Sequence, residues 1–208
     1  AMEFIESSVT ENENFFTYIA TNAPHGPFHD VPEKLYHEYL KVDFRPILIN
    51  KNINPQRMKT ETDKLARIAA MITNIDDNIG RLRRKLVELD IDKDTILIFI
   101  TDNGSVIGGR KYNAGMRGHK GSEWDGGHRV PFFIRWANGD LEGGRKIDRI
   151  TCGIDVLPTL AELCQIEMTT GLPIDGRSLV PDLTGEGVTQ RPDRTLLVHS
   201  QRLEYVQK

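Results

Sequence analysis

Three short segments carry side chains that could do chemistry. Thr101-Asp102-Asn103-Gly104 closes the longest apolar run of the chain, Thr95-Ile-Leu-Ile-Phe-Ile-Thr101. In open α/β sheets, ligand groups gather beyond the carboxyl ends of the strands. A carboxylate beside an amide carbonyl offers only oxygen, which suits a hard cation such as Ca²⁺. Asp-Asn-Gly is equally an ordinary turn sequence, so the tetrapeptide alone leaves both readings open. Asn103-Gly104-Ser105 also matches a glycosylation sequon, a match that carries little weight at the end of a buried strand. Lys120 sits in Arg117-Gly118-His119-Lys120-Gly121-Ser122. Glycines close on either side let a backbone approach an anion while the ammonium contributes charge; a plain solvated loop lysine is the other reading. The order Lys-Gly is wrong for a phosphate-binding P-loop, and no Gly-x-Gly-x-x-Gly run supports a dinucleotide site. His25 stands in Asn22-Ala-Pro-His-Gly-Pro-Phe28, where rigid prolines could hold an imidazole in place, as catalysis requires. His29 lies four residues on, but Pro27 between them denies a shared helix face, so the zinc-protease pattern fails. His37, His128 and His199 have no distinctive setting and read as structural or exposed.

The elements that must position these residues follow from periodicity. Phe15 to Thr21 is β-branched and aromatic-rich, predicting a buried strand ahead of the His25 loop. A short helix is expected around Glu33 to Leu40. Pro46, Pro55 and the Asn-rich run Asn50 to Asn54 predict a surface excursion between Val42 and Lys59. Leu65, Ile68, Ile72, Ile75, Ile79, Leu82, Leu86 and Leu89 recur at alternating spacings of 3 and 4. That is one apolar stripe on a helix from about Thr60 to Leu89, with Arg83, Arg84 and Lys85 near the end where the dipole favours cations. A coiled coil would show the same stripe, but this one leads through a short turn into a strand, and Asp76-Asp77 fall on its solvated face. The continuous strand Thr95 to Thr101 predicts burial on both faces, as in a parallel sheet covered by helices. A further strand is predicted at Val130 to Trp136, a helix at Asp155 to Cys164 with Pro158 in its first turn, and a strand at Leu196 to His199.

Composition narrows the class. The chain has 208 residues, 27 Lys plus Arg against 30 Asp plus Glu, a net charge of −3 and 38% hydrophobic residues. These values exclude a disordered chain and a highly basic nucleic-acid arm. No apolar run approaches the ~20 residues of a membrane span. Cys152 and Cys164 allow at most one disulfide and form no close metal-binding pair. Ala1 ahead of Met2 reads as the edge of a piece cut from a longer chain.

Taken together, several blocks resemble the sulfatase family of the alkaline-phosphatase-like superfamily. They are Ala23-Pro-His-Gly-Pro27, Thr101-Asp-Asn-Gly104 and Gly118-His-Lys-Gly-Ser-Glu-Trp-Asp-Gly-Gly-His-Arg-Val-Pro131, followed by Ile154-Asp-Val-Leu-Pro-Thr-Leu160 and Asp175-Gly-Arg-Ser-Leu-Val-Pro181. The resemblance implies an α/β fold with a mixed, largely parallel sheet flanked by helices. Residues 1–208 would then be a partial catalytic domain, lacking the N-terminal nucleophile-bearing part and the C-terminal subdomain. It implies that His25 binds the sulfate ester and assists the leaving oxygen, that Lys120 binds the sulfate, and that Asp102 and Asn103 ligate one divalent metal, usually Ca²⁺. The family's nucleophile is a formylglycine made in a Cys/Ser-x-Pro/Ala-x-Arg motif, which neither Cys152-Gly-Ile nor Cys164-Gln-Ile fits. The parent is therefore expected to hydrolyse a sulfate monoester, with sulfated carbohydrates and aryl esters both open as substrates, and to be periplasmic or secreted. The chain by itself is expected to be inactive, to hold Ca²⁺ weakly or not at all, to bind no nucleic acid, and to self-associate through surface left uncovered. Rival readings are a phosphonate or phosphate ester hydrolase of the same superfamily and a non-catalytic carbohydrate- or protein-binding module. Two-zinc relatives place Asp-His where this chain has Asp102-Asn103, and zinc favours imidazole whereas calcium favours oxygen.

Overall fold

Helix α3, Pro55–Glu88, dominates the architecture. It begins five residues earlier than the stripe predicts, because Asn54 caps it by accepting from the Arg57 N–H at 2.9 Å and Pro55 occupies the first turn. Proline is pre-organised for that position, so Pro55 opens the helix instead of interrupting a loop. At the other end Asp90 takes a left-handed conformation, and the Ile91 N–H reaches back to the Leu86 carbonyl at 3.0 Å.

The computed structural model describes residues 1–108, 111–139, 141, 143–169, 171, 173–185 and 193–198. Around α3 lie α1 (Met2–Thr10) and α2 (Glu33–Tyr39), followed in the chain by strands β1 (Leu97–Ile100) and β2 (Phe132–Arg135), with the short α4 (Asp125–His128) before β2. The C-terminal part adds α5 (Val156–Leu163) and α6 (Val180–Thr184). The chain forms two compact units, one of Ala1–Thr95 with Phe99–Phe133 and one of Ile96–Ile98 with Ile134–Lys208.

In the first unit Phe44, Leu48, Leu65 and Ala66 form a buried cluster edged by Tyr36, Tyr39, Ile53 and Met58. The excursion at 42–59 is thus partly core. Its prolines bend the chain, and the turn at Arg45–Ile47 delivers Phe44 and Leu48 inward. The stripe of α3 is only half covered. Leu65 and Leu86 are buried, yet Ile72 is exposed, and Ala66, Ala70 and Met71 take the buried face. The Lys85 ammonium lies 3.2 Å from Glu6 and ties α1 to the end of α3.

The sheet departs most from expectation. Among the described residues it has two strands, β1 beside β2, not a layered, largely parallel sheet. Phe99 and Ile100 are exposed, so β1 is not buried on both faces. Phe15 to Thr21 forms no strand, and Phe16, Tyr18 and Ile19 face solvent. A strand exists only through a hydrogen-bonded neighbour, and no described residues pair with this segment. Leu196 to Val198 is irregular, and His199 lies outside the described residues. No described helix is long and apolar enough to cross a membrane. Cys152 and Cys164 are free and exposed.

Within the second unit one side chain organises the packing. Asp155, fully buried just ahead of α5, accepts from the backbone N–H of Cys152 at 2.8 Å and of Arg177 at 2.9 Å. The Arg194 guanidinium adds a two-pronged contact, one prong at 2.8 Å to Oδ1 and the other to Oδ2. Thr159 continues the network, its hydroxyl donating to the Asp155 carbonyl at 2.6 Å and accepting from the Leu179 N–H at 2.9 Å. These bonds fasten Asp175–Pro181 to the start of α5. Two of the sequence blocks are therefore a structural lock.

Candidate functional site

All four predicted site residues belong to the first unit. β1 ends at Ile100, and the chain turns through Thr101–Gly104. Asp102 is exposed and Asn103 half-buried, and the Asn103 amide N–H donates to the Asp102 carboxylate. The Gly104 N–H then donates to the Gly127 carbonyl at 2.9 Å, and the Lys120 N–H to the Ser105 carbonyl at 3.4 Å. These bonds join the Asp102-Asn103 turn to the loop that carries Lys120. Only glycine fits at the joint, because a Cβ on Gly104 would lie 2.0 Å from the Gly126 carbonyl oxygen.

The Lys120 loop is held from within as well. The Asn113 amide donates to the Gly118 carbonyl at 2.9 Å and also to that of Met116. The Arg117 guanidinium stacks 3.4 Å above the Trp124 ring, and the Gly126 N–H reaches the Arg117 carbonyl at 2.7 Å. Ser122 Oγ accepts from the His119 N–H and donates to the His119 carbonyl. Lys120 itself is half-buried. Upstream, Lys111 is tied to α3 by an ion pair of 2.8 Å with the buried Glu61, and its carbonyl accepts from the Ile49 N–H. Glu61 stands four residues before Leu65, where the stripe calls for an apolar residue. That mismatch was the sequence signal for a buried ion pair.

His25 is exposed, and its hydrogen bonds are local. Its N–H donates to the Asn22 carbonyl at 2.9 Å and ring Nδ1 to the Gly26 carbonyl at 2.6 Å. A carbonyl only accepts, so Nδ1 carries the hydrogen and Nε2 is left for a ligand. No hydrogen bond joins His25 to the Asp102 turn or the Lys120 loop among the described residues. The structure thus brings Asp102, Asn103 and Lys120 onto adjoining loops and leaves His25 on a loop of its own. His37 and His128 are exposed, as expected.

No group of three or more His, Cys, Asp or Glu suited to a metal occurs among the described residues. Asp102 and Asn103 have the right donor atoms for a hard cation, but they supply two side chains toward the 6–8 oxygen ligands that Ca²⁺ takes. They fit as part of a ligand set.

An oxygen-donor turn at a strand end is thus clasped by backbone hydrogen bonds to a lysine-bearing loop. Residues 1–166 match the Sulfatase family, and the chain belongs to that family. It is 34% identical over 138 residues to steryl-sulfatase of Homo sapiens, covering 62% of this chain and 23% of the human protein. Its identity to an ulvan-active sulfatase of Formosa agariphila is 26% over 179 residues, covering 86% of this chain and 34% of that protein. Among solved structures, Ps i-CgsB in complex with k-i-k-neocarrahexaose superposes with a TM-score of 0.71 at 23% identity, over 89% of this chain and 37% of the other. The chain spans 23%, 34% and 37% of the length of these three proteins.

Proposed function

We propose that this chain supplies the metal- and sulfate-binding loops of a sulfuric ester hydrolase. The observation that supports the reading best is the clasp between the Asp102-Asn103 turn and the Lys120 loop through Gly104 and Gly127. In this proposal Asp102 and Asn103 contribute oxygen ligands to a Ca²⁺ completed by residues outside this chain. When bound, that cation would polarise the sulfate group as a Lewis acid. Lys120 places a fixed positive charge against the sulfate oxygens and holds the anion in place, while the leaving oxygen takes the electron pair of the S–O bond as it breaks. His25, with its hydrogen on Nδ1 held by Gly26, presents Nε2 to the leaving oxygen, so that a proton carried there in the imidazolium form can pass to it. The nucleophile lies outside these 208 residues, since no Cys/Ser-x-Pro/Ala-x-Arg motif occurs in them. The extended sheet of the fold is likewise proposed to belong to the longer protein. Two relatives are named for a steryl and an ulvan-active enzyme, which share the sulfate ester and not the alcohol. The proposal is made at the level of the sulfate ester.

The test is hydrolysis of a chromogenic aryl sulfate by the full-length protein and its Lys120→Ala variant. Removing one preorganised charge-stabilising group costs about 10²–10³-fold in kcat, and a loss of that order is expected. Inactivity of the correctly modified full-length protein on every sulfate ester tried would overturn the reading, as would a Lys120→Ala variant with undiminished turnover.

A further inference from the structure

The His25 loop has few internal constraints. Residues 22–28 contain no helix or strand, His25 is exposed, and the loop's own hydrogen bonds are short-range. Among the described residues, one hydrogen bond joins this loop to a helix. Arg67 of α3 donates from Nη1 to the Phe28 carbonyl at 3.0 Å. The Phe28 ring in turn lies against Gly26, where an added Cβ would meet its carbons at 3.6–3.9 Å. The Gly26 carbonyl is the acceptor that fixes His25 Nδ1. Arg67 therefore holds the chain at Phe28, two residues from the Gly26 carbonyl that fixes the imidazole.

Arg67 is itself over-determined. Its Nε donates to both Asp63 carboxylate oxygens at 3.3 and 3.2 Å, and its guanidinium sits 4.6 Å above the Tyr36 ring. The Tyr36 hydroxyl donates to Asp63 Oδ1 at 2.5 Å, which closes the triangle across α2 and α3. A planar fork can satisfy the carboxylate and the carbonyl together; a lysine ammonium on its flexible stem cannot reproduce that geometry.

We propose that Arg67 is the positioning residue of His25, holding the 22–28 loop so that Nε2 is presented in one orientation. This rests on the reading of His25 as the group that assists the leaving oxygen. Misplacing a reacting group by about 1 Å costs on the order of 10²-fold in rate. A loop that keeps its local bonds and loses one tether is expected to fall short of that, by about 10–100-fold.

The experiment uses the full-length protein and a chromogenic aryl sulfate, with rates expressed per folded molecule. The variants are Arg67→Met, His25→Ala and the two combined. Arg67→Met is expected to lower kcat about 10–100-fold with little change in KM. The combined variant is expected to be no slower than His25→Ala alone, because Arg67 acts only through His25. If Arg67→Met does not fold, Arg67→Lys keeps the Asp63 contact, loses the Phe28 carbonyl and is expected to show the same pattern. A kcat within about twofold of wild type for the folded Arg67 variant, while His25→Ala is inactive, would overturn the proposal and leave the role of His25 standing. A loss that adds in full to that of His25→Ala would overturn it too, by showing a structural role. Undiminished activity of His25→Ala would remove the role of His25 first, and the proposal with it.

Discussion

Substituting Asp155 by Ala isolates the lock of the second unit. The carboxylate is fully buried and takes two backbone N–H groups and both prongs of Arg194, whose side chain is 14% exposed. Alanine would leave that guanidinium without its counter-charge and the Cys152 and Arg177 N–H groups without their acceptor. Removing one partner of a buried ion pair costs about 3–5 kcal/mol, a large share of the ~5–15 kcal/mol that stabilises a typical domain. With a urea dependence of about 2 kcal/mol per M, the unfolding midpoint should fall by roughly 1.5–2.5 M. Trp136 lies in this unit and Trp124 in the other, so Trp124→Phe in both proteins makes Trp136 fluorescence the sole reporter. Arg194→Met should cost less, because Asp155 keeps its two backbone donors. The same carboxyl predicts a pH dependence. Burial pushes it up, but hydrogen bonds from Arg194 and from the Arg177 and Cys152 N–H groups outweigh burial and hold it below the usual carboxylate range. A depressed folded value means that this stabilisation is complete above the ordinary Asp value of about 3.9 and is lost as pH falls through the folded one. The difference between wild type and Asp155→Ala should therefore shrink only in acid below about pH 4. A midpoint shift under about 0.5 M at pH 7, or a difference that already fades near pH 6, would refute the reasoning.

Three further outcomes are expected. Gly104→Ala places a Cβ 2.0 Å from the Gly126 carbonyl oxygen, forcing the Asp102 turn and the Lys120 loop apart, so aryl sulfate hydrolysis by the full-length protein should drop at least about tenfold. Gly176→Ala sets a Cβ 2.0 Å from the Ile154 carbonyl oxygen; overpacking of this kind costs about 1–3 kcal/mol, which urea unfolding of the second unit should detect. Calorimetric titration of the 208-residue chain with Ca²⁺ should reveal no tight site, because Asp102 and Asn103 are too few ligands; sub-micromolar affinity there would contradict that count.

Much of the local structure was legible in the residues themselves. Alternating spacings of 3 and 4 fix a helix through 65–86 whatever surrounds it, and a β-branched run ended by Asp-Asn-Gly yields β1 followed by a turn. The conjunction of five blocks, Ala23–Pro27, Thr101–Gly104, Gly118–Pro131, Ile154–Leu160 and Asp175–Pro181, carried the resemblance to the family that residues 1–166 match. What required the tertiary structure was every property that depends on a partner distant in sequence. The face of α3 that is buried shifts toward Ala66, Ala70 and Met71 while Ile72 stays in solvent, and Ala66 packs with Phe44 and Leu48 from an earlier part of the chain. Phe15 to Thr21 has the composition of a strand without the neighbour that would make it one. The approach of Gly104 to Gly126, the reach of Arg67 to Phe28 across 39 positions and the closure of Arg194 on Asp155 across another 39 leave no trace in local periodicity. Propensity and pattern act over a few residues, whereas a close backbone approach or a buried ion pair exists only once the chain has returned on itself.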